Sequence, residues 1–230
     1  MIQVYQNATL LDGSENMVPR PGMTVVTRDD RIEQIGEQAA VPAGAQVIDL
    51  GGRYLMPGLI NLHVHLPGSG APAKKQRDAA KLAHFIMSTG LTRKLIALKM
   101  CQDSAHTALL SGVTTIRTVG GLGTIDGQIR DSILEGSFTG PRMLVSNTAV
   151  SVPGGHMAGS VAYAAESEQD AVAYVRKTIA QKTDLIKLMI TGGVMDAKKK
   201  GEPGEMKMPV AYIKACCEEA HRAGLKVAAH

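Results

Sequence analysis

From residue 57 onward, short apolar runs alternate with helix-patterned segments, and glycines close several of them. The runs cover residues 59–66, 113–119, 143–147, 185–191 and 225–230; Gly120-Gly121 follows the second and Gly192-Gly193 the fourth. Between them lie residues 79–110 (broken near Gly90), Ile125–Leu134 (stopped by Gly136), 167–181 and 209–223 (stopped by Gly224). Ser167-x-x-Asp170 is a helix-capping pattern, and Pro209 suits a first helical position. Strand–helix alternation requires parallel strands, because parallel neighbours cannot be joined by a tight turn. Two α/β architectures satisfy it: an open doubly wound sheet, or the first five βα units of a (β/α)8 TIM-like barrel. No GxGxxG follows the first strand, which weakens the dinucleotide-binding form of the open sheet. The last run would be a strand with one apolar face uncovered, so the chain is expected to be the front of a longer protein, truncated after strand five.

Residues 1–56 read differently. Short strands are expected around Ile2 and Val4, then at 8–10, 23–27, 31–36 and 46–50, with Arg28-Asp29-Asp30 as a turn. This is the pattern of a small β-sheet or sandwich segment. The expected division is a β-rich segment over 1–56 and a partial barrel over 57–230.

Composition narrows the function classes. The chain has no Trp and two Phe, so small and aliphatic side chains must fill the core, as layered α/β packing allows. The net charge of +4 is spread along the chain, and the one dense run, Lys198-Lys199-Lys200-Gly201, lacks aromatic residues to stack on bases. A solvated loop explains it, and no nucleic-acid partner is expected. Three cysteines, two of them adjacent at Cys216-Cys217, make a poor disulfide framework and predict a reducing, cytoplasmic setting. Neither a signal-peptide pattern nor an apolar run long enough for a membrane span is seen.

The chemistry-bearing residues fall at strand ends. In the first run, Leu59, Asn61, His63 and His65 share one face, while Ile60, Leu62, Val64 and Leu66 share the other and are expected to pack against helices. Two imidazoles on one face, followed by the loop Pro67-Gly68-Ser69-Gly70, suit a metal site at the C-terminal end of a strand. In the fourth run, Lys187 alternates with Ile186 and Leu188 and so points inward. Two readings stay open there. A buried carboxylate could pair with it, or burial could lower its pKa so that the neutral amine takes up carbon dioxide as a carbamate, an anionic bidentate group able to bridge two metal ions. His230 ends the fifth run on the same inward phase as Ala228.

These residues carry a resemblance. Gly52-x-x-Leu55-Met56-Pro57-Gly58-Leu59-Ile60-Asn61-x-His63-x-His65 resembles the opening motif of the amidohydrolase superfamily. Gly112–Arg117 with Gly120-Gly121, then Ile186–Gly193, then Val227–His230, resemble its branch of metal-dependent Xaa-Pro dipeptidases and imidazolonepropionase-like enzymes. The likeness implies His63 and His65 on a first metal, His230 on a second, and Lys187, carboxylated, bridging both. It implies two divalent ions, most simply zinc, and hydrolysis of a peptide-like C–N bond by a metal-activated water. A dipeptidase acting on a small dipeptide is the leading expectation. A cyclic-amide hydrolase or deaminase is the alternative within the superfamily. A non-catalytic half-barrel needing a partner or its missing half is the alternative outside it. The branch also uses a histidine and a general-base aspartate further along than His230, and it often has Arg-Asp where this chain has Arg117-Thr118. His156, in Val152-Pro-Gly-Gly-His-Met157, would line the substrate pocket or be an ordinary loop histidine. Arg117 would meet a substrate carboxylate or sit in a buried ion pair. His84, His106 and His221 fall in helices and are expected to be structural. A homo-oligomer is compatible with all of this.

Overall fold

The computed structural model describes residues 1–68, 85, 90–194, 197 and 203–230. The chain divides into two compact units, Met1–Gly58 and Leu59–His230.

The first unit is one five-stranded sheet built from β1 (Ile2–Leu10), β2 (Arg20–Arg28), β3 (Arg31–Gly36), β4 (Gln46–Asp49) and β5 (Tyr54–Leu55). The order is β3-β2-β1-β4, with β5 also on β1. β1 serves two parallel partners in turn: Gln3–Gln6 pair with β4, and Thr9 and Leu10 pair with β5. The hand-over falls at Asn7, whose backbone is left-handed (φ 54°) and whose side chain donates to Asp49 Oδ1 at 2.9 Å. Asn tolerates that conformation better than most residues, so the strand bends there. Leu10, Met23 and Val25 form a small core. The described residues of this unit make one sheet, and a sandwich's second sheet is not among them.

The second unit is α/β with two parallel sheets. β6 (Leu59–Val64), β7 (Val113–Thr118) and β8 (Arg142–Val145) form one, in the order β6-β7-β8. β9 (Ala149–Ser151), β10 (Ala162–Ala164), β11 (Leu185–Leu188) and β12 (Lys226–Ala229) form the other, in the order β10-β9-β11-β12. The helices are α1 (Leu91–Leu110), α2 (Ile125–Leu134), α3 (Glu168–Ala180) and α4 (Val210–Arg222). Small residues at four-residue spacing, Ala97, Cys101 and Ala105, let α1 sit close to the first sheet, where they meet Ile116, Met143, Val145 and Ile129 of α2. On the second sheet, Val150, Ile186 and Leu188 pack with Ala171 and Val175 of α3 and Cys216 and Ala220 of α4. Full burial of one such large apolar side chain contributes about 1.5–3 kcal/mol. The Ser167 hydroxyl caps α3 by accepting from Asp170 N at 3.0 Å, as its spacing predicts. Pro209 is the N-cap of α4, one position earlier than expected.

Three differences from the sequence reading have physical causes. The expected strand 143–147 stops at Val145 because Asn147 turns left-handed (φ 51°), and pairing resumes in β9. β10 was not foreseen, since Ala162-Tyr163-Ala164 is too short and too evenly apolar to show alternation. Ile60 and Leu62, expected to face helices, are 65% and 50% exposed, while Val64 and Leu66 from the same face join the core. Among the described residues β6 is an edge strand, bonded only to β7. All three cysteines are free, and burial pushes the Cys101 and Cys216 thiols up to about 12, which leaves them unreactive. No helix among the described residues is long and apolar enough to cross a membrane. His84, Ser69-Gly70, most of the helix expected before Gly90, and Lys198–Gly201 lie outside the described residues.

Candidate functional site

The candidate ligand and pocket residues His63, His65, Arg117, His156, Lys187 and His230 sit at or near the C-terminal ends of parallel strands. That end gathers catalytic side chains in α/β folds, because the strand directions converge there and the loops are free to vary. His63 lies in β6 and His65 just beyond it, Lys187 in β11, His230 directly after β12, and His156 in the loop after β9.

The pair of imidazoles is close and specifically oriented. His63 Nε2 and His65 Nε2 are 3.3 Å apart, with the rings edge-on at 66°. His65 Nδ1 donates to the Gly120 carbonyl at 3.0 Å. That bond places the hydrogen on Nδ1 and leaves the Nε2 lone pair turned toward His63. Burial depresses both pKa values below the ordinary histidine range; Lys187 adds to the effect on each, and Arg117 on His63. Both rings are therefore neutral near pH 7, which is the ligating form.

Lys187 is 2% exposed, while its neighbours Ile186 and Leu188 turn the other way into the helix-packed core. Burial first, and the Arg117 guanidinium second, push its amine down to about 8. A carboxylate partner would raise the pKa instead, and no described acid contributes. The ion-paired reading of Lys187 therefore has no support among the described residues. Arg117 donates from Nε to the Leu62 carbonyl at 2.8 Å. It thereby joins β7 to β6 beside His63.

At the far end, the His156 ring lies flat on His230, with centroids 4.1 Å apart and planes within 20°. His156 is seated against Gly193: a Cβ there would lie 1.9 Å from its Nδ1. The second glycine of the Gly192-Gly193 pair thus makes room for an imidazole. Burial lowers the pKa of His230, and the nearby His156, Lys187, His63 and His65 all oppose its protonation. The structure therefore brings His63, His65, Lys187, His156, His230 and Arg117 into one electrostatic neighbourhood. His106 stands apart on α1, bonded through Nδ1 to the Thr139 carbonyl at 3.1 Å, and His221 lies in the last turn of α4.

The donor set suits a divalent metal in part. Two nitrogens bound to one tetrahedral ion at about 2.0–2.1 Å stand about 3.3 Å apart, which matches the His63–His65 spacing. The Nδ1 bond of His65 to a carbonyl is the outer support that metal-ligating histidines usually have. Among the described residues, however, no three His, Cys, Asp or Glu side chains group closely enough to hold an ion by themselves. The remaining donor would be Lys187, which gains a ligating oxygen only on carboxylation. The sequence shows the Gly120-Gly121 pair but gives no sign of the parts played by Asn147 and Asp126, which act from behind the site.

Residues 54–230 match the amidohydrolase family. The chain belongs to that family. Among solved structures, this chain is similar over its whole length to a prolidase complexed with N-methylphosphonate-L-proline (TM-score 0.80, 25% identity, 56% of that chain covered). A putative prolidase from Bifidobacterium longum is similar at TM-score 0.72 and 31% identity, again over the whole length here and 49% of that chain. Among characterised sequences, the imidazolonepropionase of Streptomyces avermitilis is 30% identical over 117 residues, 46% of this chain and 28% of that protein. The dihydroorotase of Trichlorobacter lovleyi is 37% identical over 70 residues, 29% of this chain and 16% of that protein. The chain thus spans about half the length of the solved chains it matches, and less of the sequence relatives. The resemblance drawn from the motifs holds at the level of the family.

Proposed function

We propose that this chain supplies the first five βα units of a (β/α)8 barrel, behind a β-rich segment over residues 1–56, in a metal-dependent hydrolase of C–N bonds. The observation that carries the reading is Lys187: a lysine closed off from water, with its pKa depressed and no described acid beside it, in the same neighbourhood as two neutral imidazoles at ligand spacing. In this reading His63 and His65 hold one divalent ion, His230 a second, and the Lys187 carbamate bridges them; zinc suits the nitrogen and oxygen donors best. The metal would polarise the scissile carbonyl and make a water nucleophilic at neutral pH.

The chain's own residues do the rest. The Gly120 carbonyl keeps the His65 Nε2 lone pair available, and burial keeps His63, His65 and His230 unprotonated. The Arg117 guanidinium offsets the negative charge of a carbamate or of a substrate carboxylate. His156, held against Gly193 and stacked on His230, would line the substrate pocket. The neighbours named prolidase favour a small dipeptide-like substrate, and three free cysteines fit a reducing, cytoplasmic setting. The relatives named dihydroorotase and imidazolonepropionase support a second reading, hydrolysis of a cyclic amide.

The test is metal content and turnover of the full-length gene product and its His63→Ala variant. The reading expects the wild type to hold close to two metal ions and to cleave dipeptides or lactams. The variant should lose at least one ion and all measurable turnover. Unchanged turnover in the variant would sink the assignment.

A further inference from the structure

We propose that Asn147 is a positioning residue for the His65 imidazole: it holds the Gly120-Gly121 turn so that the Gly120 carbonyl takes the Nδ1 hydrogen and the Nε2 lone pair faces His63. The inference builds on the proposed role of His65 as a ligand.

Asn147 is fully buried and left-handed (φ 51°), a conformation that a side chain other than Gly adopts at some cost. What it gains is three hydrogen bonds to three different elements. Its backbone carbonyl accepts from Gly121 N at 2.8 Å. Its side-chain Oδ1 accepts from Gly127 N, in the first turn of α2, at 3.1 Å. Its Nδ2 reaches the Gln181 carbonyl, at the end of α3, at 3.4 Å. The N-cap of α2, Thr124, makes no side-chain capping bond, so Asn147 satisfies from outside an N–H that the helix itself leaves open.

The turn it grips has little freedom to move. Thr148 Oγ1 reaches the carbonyls of Gly121 at 3.3 Å and Gly123 at 3.4 Å. Gly121 lies directly against Asp126: a Cβ there would be 2.5 Å from its Oδ2. A Cβ on Gly120 (φ 126°) would be 3.3 Å from Met189 Cε and 3.5 Å from His65 Cε1. A carbonyl clamped on both sides selects one imidazole tautomer. Support of this kind behind a ligand is worth roughly 10–100-fold in metal affinity.

The experiment compares Asn147→Gly and Asn147→Asp with the wild type in the full-length protein. Asn147→Gly keeps the left-handed backbone and its carbonyl but removes both side-chain bonds. Asn147→Asp keeps the Oδ1 acceptor and the shape. Imidazole 15N NMR on metal-free protein reads the His65 tautomer, and zinc titration reads affinity. The expected result is an Nδ1–H tautomer in the wild type and Asn147→Asp. Asn147→Gly should show a mixture of tautomers and zinc binding weakened about 10–100-fold. A wild-type tautomer with its hydrogen on Nε2 overturns the proposal even if the glycine variant does not fold. So does a folded Asn147→Gly variant with wild-type tautomer and affinity. A tautomer shift in a protein whose wild type binds no zinc supports the positioning role and overturns only the metal assignment.

Discussion

At the end of the three-stranded sheet, His65 is tied by a hydrogen bond from Nδ1 to a backbone carbonyl, 3.0 Å away on the turn after β7. At the end of the four-stranded sheet, His230 is held by lying flat on the ring of His156, 4.1 Å from it. A hydrogen bond to a carbonyl chooses a tautomer and a ring angle together. A stack chooses a plane and leaves the tautomer open. The first end should therefore answer to changes in backbone position, and the second to changes in shape and space. Lys187, from β11 of the second sheet, adds a third kind of control, since what it does depends on burial and charge.

The largest effect should come from Lys187. Lys187→Ala in the full-length protein removes the amine that would carry the carbamate, and turnover is expected to fall below detection. Acetate or formate added with zinc should restore a small fraction, because a short carboxylate can occupy the vacated space and offer the same two oxygens. Wild-type turnover without any added acid would show that Lys187 only fills the interior. The second-sheet end can be broken separately through Gly193. Gly193→Ala puts a methyl group 1.9 Å from His156 Nδ1, so that ring must move and unstack from His230. Zinc affinity at that end should weaken by roughly tenfold, as for other outer supports, while the 15N signature of His65 stays as in the wild type. Loss of the His65 tautomer in Gly193→Ala would mean that the two ends are coupled and the contrast between them is wrong.

Much of this was legible in the chain, for identifiable reasons. The alternation of Ile186, Lys187 and Leu188 placed the lysine inward, because a strand's two-residue period leaves no other option once its neighbours must face helices. Ser167-x-x-Asp170 located the start of α3, because the capping bond is local. His63 and His65 could be paired because both lie on one short segment. What could not be read are contacts between segments distant in sequence. The His65–Gly120 bond joins positions 55 residues apart, and the His156–His230 stack is longer-range still. Nothing local marks Asn147, the last residue of the strand that the sequence predicts, as a left-handed Asn whose side chain serves a helix twenty residues earlier in the chain. The exposure of Ile60 and Leu62 was equally invisible, since alternation assigns residues to a face without saying what covers that face.

The last predicted effect concerns the turn behind His65 and bears on stability rather than on turnover. Asp126 is fully buried against Gly121, and neither of its carboxyl oxygens, nor the Thr118 hydroxyl beside it, makes a well-aligned hydrogen bond. Burial pushes its pKa up to about 6, with Thr118 pulling weakly the other way. In the unfolded chain an aspartate titrates near 3.9. Between those values the folded protein keeps a proton that the unfolded chain releases, so stability falls as pH rises from about 4 to about 6. Above that window both states are ionised, and stability stays lower by about 3 kcal/mol. Asp126→Asn removes the titration. Urea unfolding of the metal-free protein at pH 4.5 and pH 7.5 should show the variant close to the wild type at the lower pH and more stable at the higher. If the variant is no more stable at pH 7.5, the carboxylate is ionised there at little cost, and the turn that carries Gly120 holds its shape without strain from Asp126. If the variant is more stable yet the His65 tautomer is unchanged, the buried acid is a burden on the first sheet, and the hold on the ring does not depend on it.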